Sequence, residues 1–455
     1  MIRYLTLLLF IVLQSCVGYS QSIVGSWLGN LDFGVQKLKF VLHIQEENGT
    51  YTAKADSPDQ GAYGIPFDIV VKGDSVVVKN SMGIALGLKV QGDHKLVGTF
   101  SQNGITIPVV LSRSEQKMME APKVNRYQTP HPPYAYDTLD VTINNSYSQI
   151  KLAGTVTKPK GKGKYPAVVL LSGSGAQDRD ETLFGHKPFK VLADYLSRNG
   201  IVVLRYDDRG VGKSEGSFDQ STIEDFSKDA ISAFDFLKQQ DYVDIHKVGI
   251  IGHSEGGLIA TLLAAQGVPN LSFIVSLAGP SIPIDELLVE QLYSLGKAEG
   301  MSEAQLAQAR EINRKNFAVV KSNLKTEEAY QKLLENMNIA DKVDANAALR
   351  KEVLAMLAPA YRYFVRINPQ HFIKDIHIPV FGAFGTLDLQ VPSTLNLKGY
   401  YDLLPKNTKT VLKEYEGLNH LFQRAKTGKV SEYAQLEETF HEKVMEDIVR
   451  WIKEL

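Results

Sequence analysis

A serine hydroxyl is a weak nucleophile until a base takes its proton, and the base must in turn be oriented by an acid. Three side chains of this 455-residue sequence are spaced for that work. Ser254 lies in Gly252-His253-Ser254-Glu255-Gly256, a G-x-S-x-G pentapeptide with Gly257 beside it. Asp388 follows the apolar run Pro379 to Phe384, in Gly385-Thr386-Leu387-Asp388, and His420 ends Gly417-Leu418-Asn419-His420 after Thr410 to Tyr415. When a serine sits on a strand-to-helix turn, its acid and then its histidine follow in this chain order. Taken alone, the pentapeptide is short enough to recur by accident, Asp388 is compatible with a solvated turn, and His420 with a loop histidine. Each follows its own apolar run in the right order, which makes coincidence a poor account of all three.

The turn itself has a physical signature. Val248, Ile250 and Ile251 read as the end of a buried strand, and Leu258 to Ala265 are good helix formers. A serine between them has a strained backbone and a hydroxyl pushed clear of the sheet. Flanking glycines are needed because a Cβ there would meet the neighbouring strand and helix. The helix N-terminus then faces any developing oxyanion with free N–H groups. One oxyanion donor is expected from the N–H of Glu255. The second should come from Ser172-Gly173-Ser174-Gly175, after the apolar run Ala167 to Leu171, with Ser174 favoured and Gly175 next. A plain tight turn would use the same glycines.

These residues need a sheet to hold them. From about residue 137 onward, apolar runs (Ala167 to Leu171, Ile201 to Leu204, Val248 to Ile251, Phe273 to Leu277) alternate with helical patterns at Pro188 to Arg198 and from Ser221. Ser221 and Glu224 have capping-box spacing. This alternation predicts an α/β fold, a mostly parallel sheet with helices on both faces. Between about 280 and 375 the strand-like runs stop and Leu, Ala, Glu, Lys and Gln dominate, which predicts a helical lid. Asp388 and His420 both fall just beyond strand ends, at the edge where such sheets bind ligands.

Residues 22–115 follow another rule. Leu38, Phe40, Leu42 and Ile44 alternate with Lys37, Lys39, Val41 and His43, and turns such as Glu47-Asn48-Gly49 separate similar runs. This predicts a small antiparallel barrel or sandwich. A Pro-rich linker is expected over 116–136, and the α/β domain over 137–455.

A net charge of -1 argues against a nucleic-acid partner, which normally needs a basic face. Cys16 is the sole cysteine, so neither an intramolecular disulfide nor a cysteine metal site is expected. Arg3 followed by the short apolar run Leu5 to Leu13 reads as an export signal over 1–21. Leu13-Gln14-Ser15-Cys16 fits a lipobox, with Cys16 lipidated and the protein tethered to a membrane. The other reading is ordinary cleavage near Tyr19-Ser20-Gln21. Gly212-Lys213-Ser214 falls short of a phosphate loop because Asp207 stands where a glycine is required. Asp178-Arg179-Asp180-Glu181 reads as local ion pairs rather than a metal loop, His186 as a surface residue near the site, and His253 and Glu255, which flank the nucleophile, as residues of the pocket rim.

From about Tyr136 to Leu455 the chain resembles the α/β-hydrolase superfamily, and within it bacterial secreted esterases of the dienelactone-hydrolase and serine-aminopeptidase-like group. The likeness rests on Leu171 to Glu181, Lys187 to Phe189, Arg205 to Ser214, Gly252 to Gly257, Asp388 and Asn419-His420. It implies a Ser254–Asp388–His420 triad and cleavage of small carboxylic esters through an acyl-enzyme, without a cofactor or metal. A serine peptidase or an acyl thioesterase would use the same residues. Ser172 stands where many members carry histidine, which bears on the second oxyanion donor.

Overall fold

The structure, a computed structural model, describes residues 23–32, 37–60, 62–80, 84–102, 105–115, 124–343 and 347–455. The export signal and Cys16 lie outside these residues. The chain divides into two compact units, one ending at Met119 and the other running from Glu120 to Leu455 and taking in Asp59–Ala62.

In the first unit, period-two patterning builds eight strands: β1 (Gly25–Asp32), β2 (Lys37–Glu47), β3 (Thr50–Ser57), β4 (Ala62–Lys72), β5 (Ser75–Lys79), β6 (Ala85–Gln91), β7 (Lys95–Gln102) and β8 (Ile105–Ser114). They form a closed barrel rather than a sandwich, because β8 returns to pair with β1 at Ser26↔Ser114 and Trp27↔Arg113. Closure leaves no bare sheet edge. Trp27, Leu42, Val76, Leu86, Leu96 and Leu111 are fully buried. The simple alternation fails at His43, which is 4% exposed although it stands in the polar phase of β2. Its ring is satisfied by the Ser26 hydroxyl at 2.8 Å and the Asp56 carboxylate at 2.9 Å, as a buried polar group must be.

The second unit begins with β9 (Tyr136–Asn145), β10 (Ile150–Pro159) and β11 (Tyr165–Leu171). There follow α1 (Pro188–Arg198), β12 (Val202–Tyr206), α2 (Ile223–Lys238), β13 (Val243–His253), α3 (Glu255–Ala265) and β14 (Phe273–Leu277). Then come the helices α4 (Ile284–Ala298), α5 (Glu303–Lys321), α6 (Thr326–Met337), α7 (Ala340–Val343), α8 (Ala347–Ala355) and α9 (Pro359–Val365). The unit closes with β15 (Val380–Gly385), α10 (Ser393–Leu403), β16 (Val411–Tyr415), α11 (Val430–Tyr433) and α12 (Glu442–Glu454).

The eight-stranded sheet has the order β16-β15-β14-β13-β11-β12-β10-β9, parallel from β16 to β12 and antiparallel at β10 and β9. Apolar clusters bury both of its faces. One takes in α1 and α12 with Trp451, the other α2 and much of α3 with Phe234. This is the α/β-hydrolase sheet that the sequence predicts. One detail differs: the α2 cap is Thr222 with Asp225, not Ser221 with Glu224. The Asp225 carboxylate accepts from the Thr222 N–H and hydroxyl at 3.0 Å each, while the Ser221 hydroxyl donates back to the Ser217 carbonyl.

The lid is the run α4 to α9, with its own core around Phe317, Val320, Leu333 and Val365. Two arginines at the end of the run cap the carboxyl end of α5. Arg362 donates to the Val320 and Leu324 carbonyls at 3.0 Å each, and Arg366 to the Lys321 carbonyl at 2.9 Å. They satisfy carbonyls that a helix end leaves without partners. The first and last parts of the lid meet where the Ile284 N–H donates to the Ile367 carbonyl at 3.0 Å.

Candidate active site

Because β11 and β13 are neighbours, with Leu171 opposite Gly252, the loop after β11 and the turn after β13 leave the sheet side by side. This is the point where strand order reverses, the usual place for a ligand crevice in open α/β sheets. Ser254 sits between β13 and α3 at φ 53°, ψ -115°, in a region that side chains seldom occupy. Its N–H is fastened to the Leu277 carbonyl at 2.8 Å. Glycines permit the packing: a Cβ on Gly252 would lie 2.0 Å from the Gly256 oxygen, and one on Gly256 would lie 2.1 Å from the Leu171 oxygen. A Cβ on Gly173 would lie 3.4 Å from the Ser254 Cβ, so the first loop lies directly over the serine.

Asp388 follows β15 and His420 follows β16, and their loops are bonded together. The Leu387 N–H donates to the Leu418 carbonyl at 2.9 Å, and the Gly417 N–H to the Thr386 hydroxyl at 2.8 Å. One Asp388 oxygen accepts from the Gln390 and Val391 N–H groups at 2.8 Å each, and the other from His420 Nδ1 at 2.8 Å. The bond at Nδ1 leaves Nε2 as the nitrogen able to accept a proton. Both residues are buried, each with 4% exposure. Asn419 shapes the loop by accepting from the Leu421 and Gln423 N–H groups, and Phe422 takes a φ of 58° just beyond.

In the loop after β11, where the second oxyanion donor is expected, the N–H of Gly173 is taken by the Glu181 carboxylate at 2.8 Å. Among the described residues, the N–H groups of Ser174, Gly175 and Glu255 donate to no other protein group. Glu255 and Asp208 face a small pocket shared with Ser172, Gly173, Tyr206 and Phe226. Burial pushes both carboxyls up to about 7, and for Asp208 the charges of Glu255 and Glu181 add to the rise. Asp208 also accepts from the Ser172 hydroxyl at 2.9 Å and the Gln177 N–H at 3.0 Å, which braces the first loop.

The structure revises the expectations for three neighbours. His186 is not at the surface; it is fully buried, lying between the Thr439 hydroxyl and the Tyr433 carbonyl, and burial pushes its pKa down to about 4. His253 is not on a pocket rim; it is 4% exposed and faces Glu181. The 178–181 run does form ion pairs, Arg179 with Asp207 at 2.7 Å and Asp180 with Lys187 at 3.0 Å, but Glu181 turns inward. No spacing rule marks Glu181, since its partner His253 is 72 residues away in the chain. Among the described residues, no group of three or more His, Cys, Asp or Glu is placed to hold a metal.

A parallel sheet with a strained serine at its switch point, beside a carboxylate-bound histidine, defines a serine hydrolase of the α/β class. The chain belongs to the X-Pro dipeptidyl-peptidase (S15) family, whose sequence profile matches residues 148–415, a span that includes Ser254 and Asp388 and stops short of His420. It is 28% identical over 331 residues to esterase EstD of Thermotoga maritima, covering 70% of this chain and 68% of that one. It is 31% identical over 167 residues to an acyl transferase of Photorhabdus luminescens, covering 33% of this chain and 51% of the relative. A solved esterase of Pyrococcus furiosus aligns over 70% of this chain and 91% of its own, with a TM-score of 0.43 and 17% identity.

Proposed function

We propose that this protein hydrolyses small carboxylic esters by two acyl transfers through Ser254. The Ser254 hydroxyl attacks the ester carbonyl while His420 Nε2 takes its proton. Asp388 holds the imidazole in the required tautomer and stabilises the imidazolium that forms. The N–H groups of Glu255 and Ser174, with Gly175 next in line, receive the oxyanion. The alkoxide leaves with the proton from His420. Water then attacks the acyl-enzyme by the same route, releasing the acid and freeing Ser254.

The observation that carries this reading is the 2.8 Å bond from His420 Nδ1 to Asp388, on a loop beside the strained Ser254 turn. The 28% identity to an esterase over most of the chain supports esters as substrates, and the acyl transferase likeness supports an acyl-enzyme. The test is p-nitrophenyl-ester turnover with fluorophosphonate labelling. Both are expected in the purified protein and absent in Ser254→Ala; retained turnover in that variant rejects the assignment.

The family match favours a second reading, a peptidase on the same residues. Turnover of X-Pro or aminoacyl nitroanilides above that of acyl esters would select it. We further propose export directed by residues 1–21, with Cys16 lipidated or removed. Mass spectrometry of the mature N-terminus from a native host distinguishes these outcomes.

A further inference from the structure

We infer that Glu181 and His253 form a buried ion pair that holds the oxyanion loop and the base-bearing loop in register, so that both act as positioning residues for the reaction at Ser254. The inference rests on the acyl-transfer reading above.

The geometry is a chain of three bonds. Glu181 Oε1 accepts from the Gly173 N–H at 2.8 Å and from His253 Nδ1 at 2.7 Å. His253 Nε2 in turn meets the main-chain carbonyl of His420 at 2.9 Å. A carboxylate and a carbonyl can only accept, so both ring nitrogens must donate, and His253 is an imidazolium. Burial opposes that charge, but Glu181, the His420 carbonyl and Asp388 together outweigh it and the pKa is raised. Glu181 is 1% exposed and holds a φ of 52°, an unfavourable backbone for a residue other than glycine. Strain retained at a buried carboxylate beside a reaction centre points to function rather than to stability alone.

The consequence is spatial. Gly173 precedes Ser174, the favoured oxyanion donor, and the His420 carbonyl belongs to the base itself. One ion pair therefore fixes the donor and the base relative to each other, on either side of Ser254. The His253 and His420 rings lie 4.8 Å apart. Two imidazole–carboxylate pairs thus stand side by side, so neither imidazolium lacks a counter-charge when His420 takes the serine proton. The ionisable groups around this pair are Asp388 and His420 on the base side, and Asp208 and Glu255 on the oxyanion side.

The test compares Glu181→Gln, His253→Gln and the double variant, with kcat counted per fluorophosphonate-titrated site so that unfolded protein drops out. Each single change is expected to lower kcat about 10^2-fold, as displacement by about an ångström can do, with KM nearly unchanged. The double variant should lose no more than the worse single, since the two residues act as a unit. His253→Gln leaves Glu181 uncompensated near the base, so the acid limb of kcat/KM should move to higher pH, and the double variant should restore it. In 15N-histidine spectra of the unaltered protein, one ring should remain doubly protonated at pH 8, a readout that needs no variant to fold. Singles with unaltered kcat and an unmoved acid limb, or a fully neutral set of histidines at pH 8, would overturn the inference. Turnover surviving in Ser254→Ala would instead sink the triad reading and leave the imidazolium result standing.

Discussion

Twice in this molecule a buried aspartate holds a histidine near a serine. In the barrel, the Ser26 hydroxyl, the His43 ring and the Asp56 carboxylate form a line at 2.8 and 2.9 Å. In the sheet domain, Asp388 and His420 meet at 2.8 Å beside the Ser254 turn. The imidazole–carboxylate bonds alone do not separate the two. The surrounding backbone does. Ser26 lies within β1, opposite His43 in β2 and Ser114 in β8, so its neighbours belong to a closed ladder. Ser254 stands on a strained turn at a helix N-terminus with the Glu255 N–H unspent. The barrel group satisfies buried polarity between strands, whereas the Ser254 turn leaves an N–H unspent, as the proposed acyl transfer requires.

The sharpest way to break this contrast is paired alanine substitution. Ser254→Ala should lower kcat on an acyl ester by about 10^6-fold, while Ser26→Ala leaves it within about twofold, as steady-state assays would show. Loss of activity in the barrel variant would mean that the two groups had been assigned the wrong way round. The acids come next. Asp388→Asn should cost about 10^4-fold in kcat, through the wrong histidine tautomer. Asp56→Asn should instead lower the melting temperature, with kcat per titrated site unchanged.

Glycine contacts extend the contrast. A Cβ on Gly256 meets the Leu171 oxygen at 2.1 Å, and one on Gly98 in the barrel meets the Gly87 oxygen at 1.9 Å. Gly256→Ala should displace the serine turn and cost about 10^2-fold in kcat; Gly98→Ala should show as lost barrel stability in a thermal melt. The smallest effect is on pH. Burial pushes Asp208 up to about 7, against about 3.9 for an unfolded aspartate. The folded chain holds this proton more tightly, so the resulting stability is complete below about pH 4 and lost as pH rises through about 7. Asp208→Asn should flatten the fall in melting temperature between about pH 4 and 7.

Much of the candidate site could be read from the chain because its signals are local. Ser254, Asp388 and His420 each follow an apolar run with turn residues, and the loop at Ser172–Gly175 follows another. The sheet alternation was legible for the same reason. What escaped depends on contacts between distant residues. His253 reads as a rim residue until Glu181 is folded onto it, and His186 as exposed until Thr439 and Tyr433 close around it. Barrel or sandwich was undecidable from period two, since closure is a matter of whether β8 reaches β1. The α2 cap falls one residue beyond the position its spacing predicts, because Ser221 and Thr222 are both able to start a helix and only the fold selects one.

The bond from the Ile284 N–H to the Ile367 carbonyl means that the polypeptide departs from the sheet and rejoins it through nearly the same gate. Everything between those two points is an excursion whose length the strands do not sense. A tight turn would bridge that gap, and so would a helical insert of quite different shape. An exchanged excursion would still have to supply the contacts of Leu287, Leu288 and Phe364, which pack into the core of the sheet.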